Sequence, residues 1–589
     1  MPKVMKEVEV VVVGMGFAGS IIARELSGAG MQVVGLERGM MRDTVPDFQG
    51  PMMHDELRYA TRLGLMQDAS KETVTLRNRI SDVALPVRRF ASFLPGSGLG
   101  GAGTHWNGQT WRFHADEFSI RSRYAERYGA HFADAELQLQ DWGISYEELE
   151  PYYDRFEYLC GIAGKAGNLR GELRDGGNRN EGMRRRDFPT PPMKETYSCH
   201  LFSEGARRAG YNSFPIPSGN MSQPYTNPDG LKLKPCMFCG YCERFGCEHY
   251  AKSSPHTVVL PTLLRQKNFE LRTGAHVTQV VTDASKKQAT GVRYIDGLGN
   301  EVVQPARLVI ITAFSFHNVR LLLLSGIGKP YDPATGKGVV GRNYAYQTIG
   351  GVTAFFDESV NINPFMSSGA SLSAVSDYVS DTYDHGPLGF VGGSLIASGI
   401  SHGRPIDYHP TPPGTPRWGK AWKDAVMAHY NHTLNISVSG SSMPSRHNYL
   451  DLDPTYKDAW GMPLLRMTFD FPANDVRMSA FCTGKAQQLA QHVGARQVSA
   501  APRTGPYDVT VYQSTHNVGG AVMGDDPSTS VVNRYQQVWD VPNVFVVGAS
   551  SFPHNAAYNP TGTVGALAYY AADAIIHQYR AAPGALLHV

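Results

Sequence analysis

Val10-Val11-Val12-Val13-Gly14-Met15-Gly16-Phe17-Ala18-Gly19 is the stretch whose reading decides the fold. Its unbroken β-branched run predicts a strand buried on both faces. Three glycines follow at once, and Ser20 to Ser27 carries apolar positions at helical spacing. A second apolar run, Val33-Val34-Gly35-Leu36, ends at Glu37. Strand, glycine loop, helix, strand and acid in this order form a dinucleotide-binding unit. Gly14 permits the tight turn, Gly16 lets a pyrophosphate approach the backbone, and Gly19 lets the helix pack on the strand. Glu37 stands where an acid accepts hydrogen bonds from ribose hydroxyls. An α/β, Rossmann-like fold is expected.

Outward from this unit, Phe269–Thr273, His276–Thr282 and Ala289–Tyr294 read as short strands. Leu308–Ile311 reads as another buried strand, followed by a helix over Asn318–Ser325. Near the end, Val544–Val547 predicts a strand and Gly565–Tyr579 a helix. The expected division has five parts. Residues 1–150 form the first part of the nucleotide-binding domain. Residues 151–235, rich in Arg, Pro, Gly and Asn, read as surface excursions around short helices, suited to subunit contacts. Residues 236–345 carry a cysteine loop and the second part of the nucleotide domain. Residues 346–505, with alternating segments and turns such as Pro410–Gly414, form a β-sheet-based substrate domain. Residues 506–589 return to the nucleotide domain with the active-site end, so that domain is discontinuous.

Composition excludes several classes. With 55 basic against 53 acidic residues there is no electrostatic case for nucleic acid. No apolar run approaches the roughly 18 residues of a spanning helix. Met1–Glu7 leads straight into a strand, so no signal peptide is expected. Seven cysteines in 589 residues exclude a disulfide framework. Four of them, Cys236, Cys239, Cys242 and Cys247, crowd one segment at C-x2-C-x2-C-x4-C spacing. That compact spacing suits thiolates wrapping an iron–sulfur cluster. Zinc competes, although four-cysteine zinc sites usually separate their pairs by a longer hairpin. Cys160, Cys199 and Cys482 are scattered and read as small buried residues. There is no C-x-x-C-H haem motif.

Several separated motifs together resemble the glucose–methanol–choline (GMC) oxidoreductases. They are the Gly14/Gly16/Gly19 loop with Glu37, and Gly98-Leu99-Gly100-Gly101-Ala102-Gly103-Thr104-His105-Trp106. With them go Phe314–Gly328, Val340-Gly341-Arg342-Asn343, His516-Asn517-Val518-Gly519-Gly520 and Asn559-Pro560-Thr561. The resemblance implies the GMC fold and bound FAD. It gives the segment carrying Gly98, Gly101, Thr104, His105 and the neighbouring Asn107 to the flavin, with Gly548, Ala549, Pro560 and Thr561. Gly548 stands where many relatives have an acid, so contacts there fall to backbone groups. His516 is implied as the base for the substrate hydroxyl proton and Asn559 as the group orienting that oxygen. His105, in a Thr-His-Trp context, is implied as a point of covalent flavin attachment. His554 and His317 read as structural.

Longer stretches, among them Leu36-Glu37-Arg38-Gly39, Ser70–Thr75, Ala313–Arg320 and Tyr449–Tyr456, resemble more closely the flavoprotein subunits of membrane-associated gluconate 2-dehydrogenases and their sugar and polyol dehydrogenase relatives. That resemblance implies oxidation of a sugar acid, sugar or polyol, with D-gluconate to 2-keto-D-gluconate as first expectation. Sorbitol, fructose, glucose and ketogluconate stay open. It further implies a three-iron rather than four-iron cluster, a small partner exported by the twin-arginine route, and a membrane multihaem cytochrome c as electron acceptor. The expected location is the periplasmic face of the cytoplasmic membrane, with the cytoplasm as the alternative. An oxygen-using oxidase with structural zinc, and a non-catalytic electron-transfer subunit, are the competing functions.

Overall fold

The opening run forms β1 (Val8–Val13), α1 (Phe17–Gly28) and β2 (Val33–Leu36) in a computed structural model. It describes residues 2–49, 64–88, 90, 93–399, 408–511 and 514–586. β1 and β2 pair in parallel, Val10 opposite Val33 and Val13 opposite Leu36. Alternate valines of β1 feed different cores: Val11 and Val13 one, Val10 and Val12 the other. That explains why the run does not alternate with polar residues, since both faces are covered. Each valine so buried contributes roughly 1.5–3 kcal/mol.

β3 (Phe269–Arg272), β4 (His276–Thr282), β5 (Ala289–Ile295) and β6 (Glu301–Ile311) complete the order β3-β2-β1-β6-β5-β4. β6 is longer than the apolar run Leu308–Ile311, because its first half pairs antiparallel with β5 while its second half pairs parallel with β1. α2 (Ser315–Ser325) follows, starting three residues before the expected Asn318.

A second sheet holds β7 (Thr348–Phe355), β8 (Ser373–Val375), β9 (Ser394–Ser398) and β10 (Thr433–Gly440). α3 (Ala473–His492) and β11 (Gln497–Ala501) follow. The strand order is β11-β7-β10-β9-β8 with Phe214–Pro215 at the edge, all antiparallel. Leu434, Ile436 and Val438 of β10 pack with Met478, Cys482 and Ala486 of α3 in one core. The opposite face of the sheet is left for the cavity described below.

The chain then returns to the first sheet. β12 (Val544–Val546) pairs parallel with β6. α4 runs over Thr561–Ala574 and gives way to a π-helical turn at Ile575–Tyr579, so the expected Gly565–Tyr579 helix starts earlier and changes pitch. α4 packs between α1 and the helix Tyr146–Cys160.

Residues 151–235 combine exposed stretches, such as 170–175 and 185–187, with a buried part. Phe156, Leu159, Cys160 and Phe202 are buried, and Glu157 takes hydrogen bonds from both Arg112 and Arg184 inside the protein. Arg184 alone of the arginines there is buried; the others, such as Arg170, Arg174 and Arg207, are exposed. Among the described residues no helix is long and apolar enough to cross a membrane.

Candidate active site

A cavity of about 860 Å³ lies over the carboxyl ends of β1, β2 and β6, with the open face of the second sheet as part of its wall. Gly14 has φ +92°, and a Cβ there would meet the Thr312 carbonyl oxygen at 2.7 Å; a Cβ on Gly19 would lie 1.9 Å from the Gly14 carbonyl oxygen. Both close approaches need glycine. Gly16 has room instead: its nearest neighbour would be the Gly100 carbonyl at 3.9 Å, on the cavity side of the loop. Gly14 and Gly16 line the cavity, and Gly19 packs α1 behind it. Glu37 is buried on the cavity wall, accepting from the Met15 N–H at 3.0 Å and the Gly39 N–H at 2.9 Å. Burial pushes its carboxyl up.

The second glycine loop docks on the first: Gly100 N–H donates to Met15 C=O at 3.0 Å. Gly101, Ala102, Gly103, His105, Trp106 and Asn107 line the cavity, whereas Gly98 and Thr104 stand behind its wall. His105 Nε2–H donates to the Leu94 carbonyl at 3.1 Å, which makes Nδ1 the unprotonated nitrogen. Gly548 and Ala549, just after β12, line the wall, as do Pro560 and Thr561 at the start of α4. At the Glu37 end, Arg38, Glu72, His317 and Arg320 also face the cavity. Burial works to raise Glu72, but His317, Arg38 and Arg320 hold it well below the usual carboxylate range. Burial and Arg38 push His317 down to about 4. His317 is thus structural, as expected, but within a network rather than an apolar core.

His516 and Asn559 come together at the other end. The Trp111 indole N–H, a donor only, gives its proton to Asn559 Oδ1 at 3.2 Å. Asn559 Nδ2 is thereby turned to His516 Nε2, 3.2 Å away. Gln347 Nε2 donates to the Ala557 carbonyl at 3.5 Å, which turns Gln347 Oε1 to His516 Nδ1 at 2.5 Å. Nδ1 therefore carries the proton and Nε2 presents a lone pair. Burial pushes His516 down to about 4. The ring is a neutral base at neutral pH. Trp111 itself is stacked on Tyr558 with centroids 4.8 Å apart. His554 lies outside this cavity, buried and bonded to Glu117 at 2.6 Å.

The cysteine loop reaches the cavity through Glu243 and Arg244, which line it, while its four cysteines do not. None of the four thiols is in a disulfide; Cys242 is buried and Cys236, Cys239 and Cys247 are half-buried. Burial pushes Cys236 up to about 11, and Cys239 and Cys247 push it the same way. Burial pushes Cys242 up to about 12, opposed by Lys252. Among the described residues no three His, Cys, Asp or Glu side chains are arranged to hold a metal ion. Lys252, fully buried, donates to the carbonyls of Trp106 at 2.7 Å, Cys242 at 2.9 Å and Phe245 at 2.8 Å. It ties the cavity wall to the cysteine loop.

Gln347, Trp111 and Lys252 escaped sequence reasoning, since nothing local marks a partner more than a hundred residues away. The serines of β10 had a signal: in Leu434-Asn435-Ile436-Ser437-Val438-Ser439, apolar residues enter the core while Asn435, Ser437 and Ser439 line the cavity. Of the arginines considered for a substrate carboxylate, Arg466 pairs with Asp451 at 2.8 Å, and neither it, Arg342 nor Arg446 lines the cavity.

Family models described as GMC oxidoreductase match residues 87–349 and 444–568. The chain is 50% identical to the gluconate 2-dehydrogenase flavoprotein of Pantoea cypripedii, over 99% of this chain and 96% of that one. It is 28% identical to the 2-methyl-1,2-propanediol dehydrogenase of Mycolicibacterium austroafricanum (97% and 96% covered). It is 24% identical to the fructose dehydrogenase large subunit of Gluconobacter japonicus (97% and 98%). The crystal structure of pyridoxine 4-oxidase from Mesorbium loti shares the fold, with a TM-score of 0.59 at 16% identity over 97% of this chain and 99% of that one. The glycine cradle, the acid at Glu37 and the volume of the cavity fit FAD, and the chain belongs to the GMC family of FAD-dependent oxidoreductases.

Proposed function

We propose that this chain is the catalytic flavoprotein of a gluconate 2-dehydrogenase-type enzyme, oxidising a secondary hydroxyl of D-gluconate to the 2-keto acid. The observation that carries the reading is the pair of nitrogens, His516 Nε2 and Asn559 Nδ2, fixed 3.2 Å apart on the cavity wall by Gln347 and Trp111. The likeness to the Pantoea flavoprotein supports the substrate class.

A hydroxyl entering between the two nitrogens donates to His516 Nε2 and accepts from Asn559 Nδ2. Bound FAD supplies the acceptor for the hydride on the adjoining carbon. As that hydride leaves, His516 takes the hydroxyl proton, and its Nδ1–H keeps its bond to Gln347. Among the described residues no carboxylate is bonded to the ring, so an imidazolium there gains little until the carbonyl forms, and proton and hydride transfer are coupled. Asn559 holds the oxygen throughout, positioned by the Trp111 N–H. The residues from Gly14 to Ala18, with Gly101, Ala102, Gly103, His105, Trp106 and Asn107, would hold the cofactor, and His105 is the residue proposed to bond it covalently.

The cysteine loop is proposed as the electron exit. A bound iron–sulfur cluster, three-iron by preference, would supply a one-electron outlet. A tetrahedral zinc would bring its thiolates within about 3.8 Å of one another, given zinc–sulfur bonds near 2.3 Å; a cluster spreads them over several irons. The compact C-x2-C-x2-C-x4-C spacing supports the cluster, since four-cysteine zinc sites usually separate their pairs by a longer hairpin. Met237, Phe365 and Met366 stand exposed by this loop, Ser367 being bridged to Cys239. They offer the surface on which a cytochrome partner at the membrane would accept electrons.

The test is an anaerobic screen of sugar acids, sugars and polyols, following loss of the flavin's visible absorbance, together with metal analysis. D-Gluconate is expected to bleach it fastest, with iron and sulfide present. Fastest bleaching by a neutral sugar would overturn the substrate, and zinc without iron would overturn the exit. Flavin colour that stays with the chain on acid precipitation, and is lost in His105→Ala, tests the covalent bond.

A further inference from the structure

Part of the cavity wall is one face of the second sheet, with β10 paired on both sides at its centre. Along β10, Asn435, Ser437 and Ser439 alternate with the core residues Leu434, Ile436 and Val438, so three polar side chains form one row facing inward. The neighbours of Ser437 are small, Gly351 of β7 and Ala397 of β9. Gly399 lines the cavity beside Asn435, which takes its N–H. Asn435, Ser437 and Ser439 are each half-buried and line the cavity.

The three residues differ in what they have left to offer. Asn435 is already tied, accepting from Thr353 Oγ1 at 3.1 Å and donating to Tyr408 OH at 3.1 Å. Ser437 Oγ–H donates to the Ala397 carbonyl at 3.4 Å, leaving its lone pairs for the cavity. Ser439 Oγ, opposite Ile349 and Leu395, has no bonded partner among the described residues. Gln347, which orients His516, is two residues before Ile349, so the row continues directly from the catalytic end. Residues two apart on a strand stand about 6.7 Å from each other, comparable to the length of an extended hexose carbon chain.

We infer that Ser437 and Ser439 are specificity-determining residues that read the hydroxyl chain of the substrate beyond the carbon being oxidised. Ser437 accepts from one hydroxyl and Ser439 both donates to and accepts from another. This inference rests on the polyhydroxylated substrate of the preceding section. The enzyme then recognises a run of hydroxyls, and an alcohol without them binds weakly even where His516 and Asn559 accept its reacting group.

The experiment measures kcat and KM of the holoenzyme for D-gluconate and for analogues lacking one hydroxyl away from the oxidised carbon. The variants are Ser437→Ala, Ser439→Ala and the hydroxyl-retaining Ser437→Thr. Loss of one hydrogen bond at each serine is expected to lower kcat/KM about fivefold to tenfold, mainly through KM. Flavin content should be unchanged, and Ser437→Thr should restore part of the loss. For one deoxy analogue per serine, the alanine variant should lose nothing further, because that bond is already absent. Variants within twofold of the parent on gluconate, or losses that simply multiply for every analogue, would overturn the inference and leave the gluconate reading standing. A parent enzyme whose flavin no polyhydroxylated compound reduces would overturn both.

Discussion

The flavin cleft and the cysteine loop meet at one wall, to which the loop contributes Glu243 and Arg244, and they are held in opposite ways. The cleft is built from backbone: two glycine loops dock through Gly100 N–H to Met15 C=O, and Glu37 bonds the N–H groups of Met15 and Gly39. Its catalytic end is fixed by neutral donors and acceptors in a chain from Trp111 through Asn559 to His516 and Gln347. The cysteine loop is held to that wall by a charge. Lys252 spends all three ammonium protons on three carbonyls, two of them on the loop and one on Trp106 in the cleft. Neutral pre-organisation suits a site where one proton must move. A buried cation suits a site expected to gather negative thiolates.

The largest effect should come from breaking the neutral side. His516→Ala removes the base, and kcat should fall about 10²–10⁴-fold, the usual worth of a placed acid–base group. Flavin and iron contents should stay at parental levels. Rapid-reaction kinetics under anaerobic conditions will measure this, and turnover close to the parent would remove His516 from its role.

Breaking the charged side should cost stability before it costs chemistry. Lys252→Met keeps the volume but strands three buried carbonyls, for about 3 kcal/mol or more. The expected result is a lower denaturation midpoint together with iron below the parental level, at near-normal flavin content. If iron and stability both hold at parental values, the lysine does not join the two regions as described.

The same contrast explains what could be read from the chain. Val10 to Gly19 and Glu37 announce their fold because backbone sterics leave few alternatives to glycine at Gly14 and Gly19. His516 and Asn559 carried no such constraint, and were placed as candidates only through the company of neighbouring motifs. Gln347 and Lys252 were invisible for a plainer reason. A glutamine on the way into a strand and a lysine in a loop are common, and only the fold brings the first to His516 and the second beneath Cys242. Arg184 misled in the other direction, since it looks like surface until Glu157 is found beside it.

The smallest change tests whether neutrality itself matters at the catalytic end. Gln347→Glu places a carboxylate where His516 Nδ1 now meets an amide oxygen. His516 stands at about 4 through burial, so the unprotonated, active form prevails above that pH and the acid limb of kcat/KM should fall near it. A carboxylate at hydrogen-bond distance favours the imidazolium and should carry the limb upward by about one unit or more. Activity is then lost at mildly acid pH and kept at alkaline pH. Stability moves with it. In the parent, the buried neutral ring loses stability as pH falls from 6.5, the ordinary value, towards about 4. The glutamate variant, whose ring holds its proton more tightly when folded, should lose less across that window. Parallel pH profiles of kcat/KM and of the denaturation midpoint will check both. An unshifted limb would mean that Gln347 does not touch the ring in the working enzyme, and that the tautomer of His516 is set by something else.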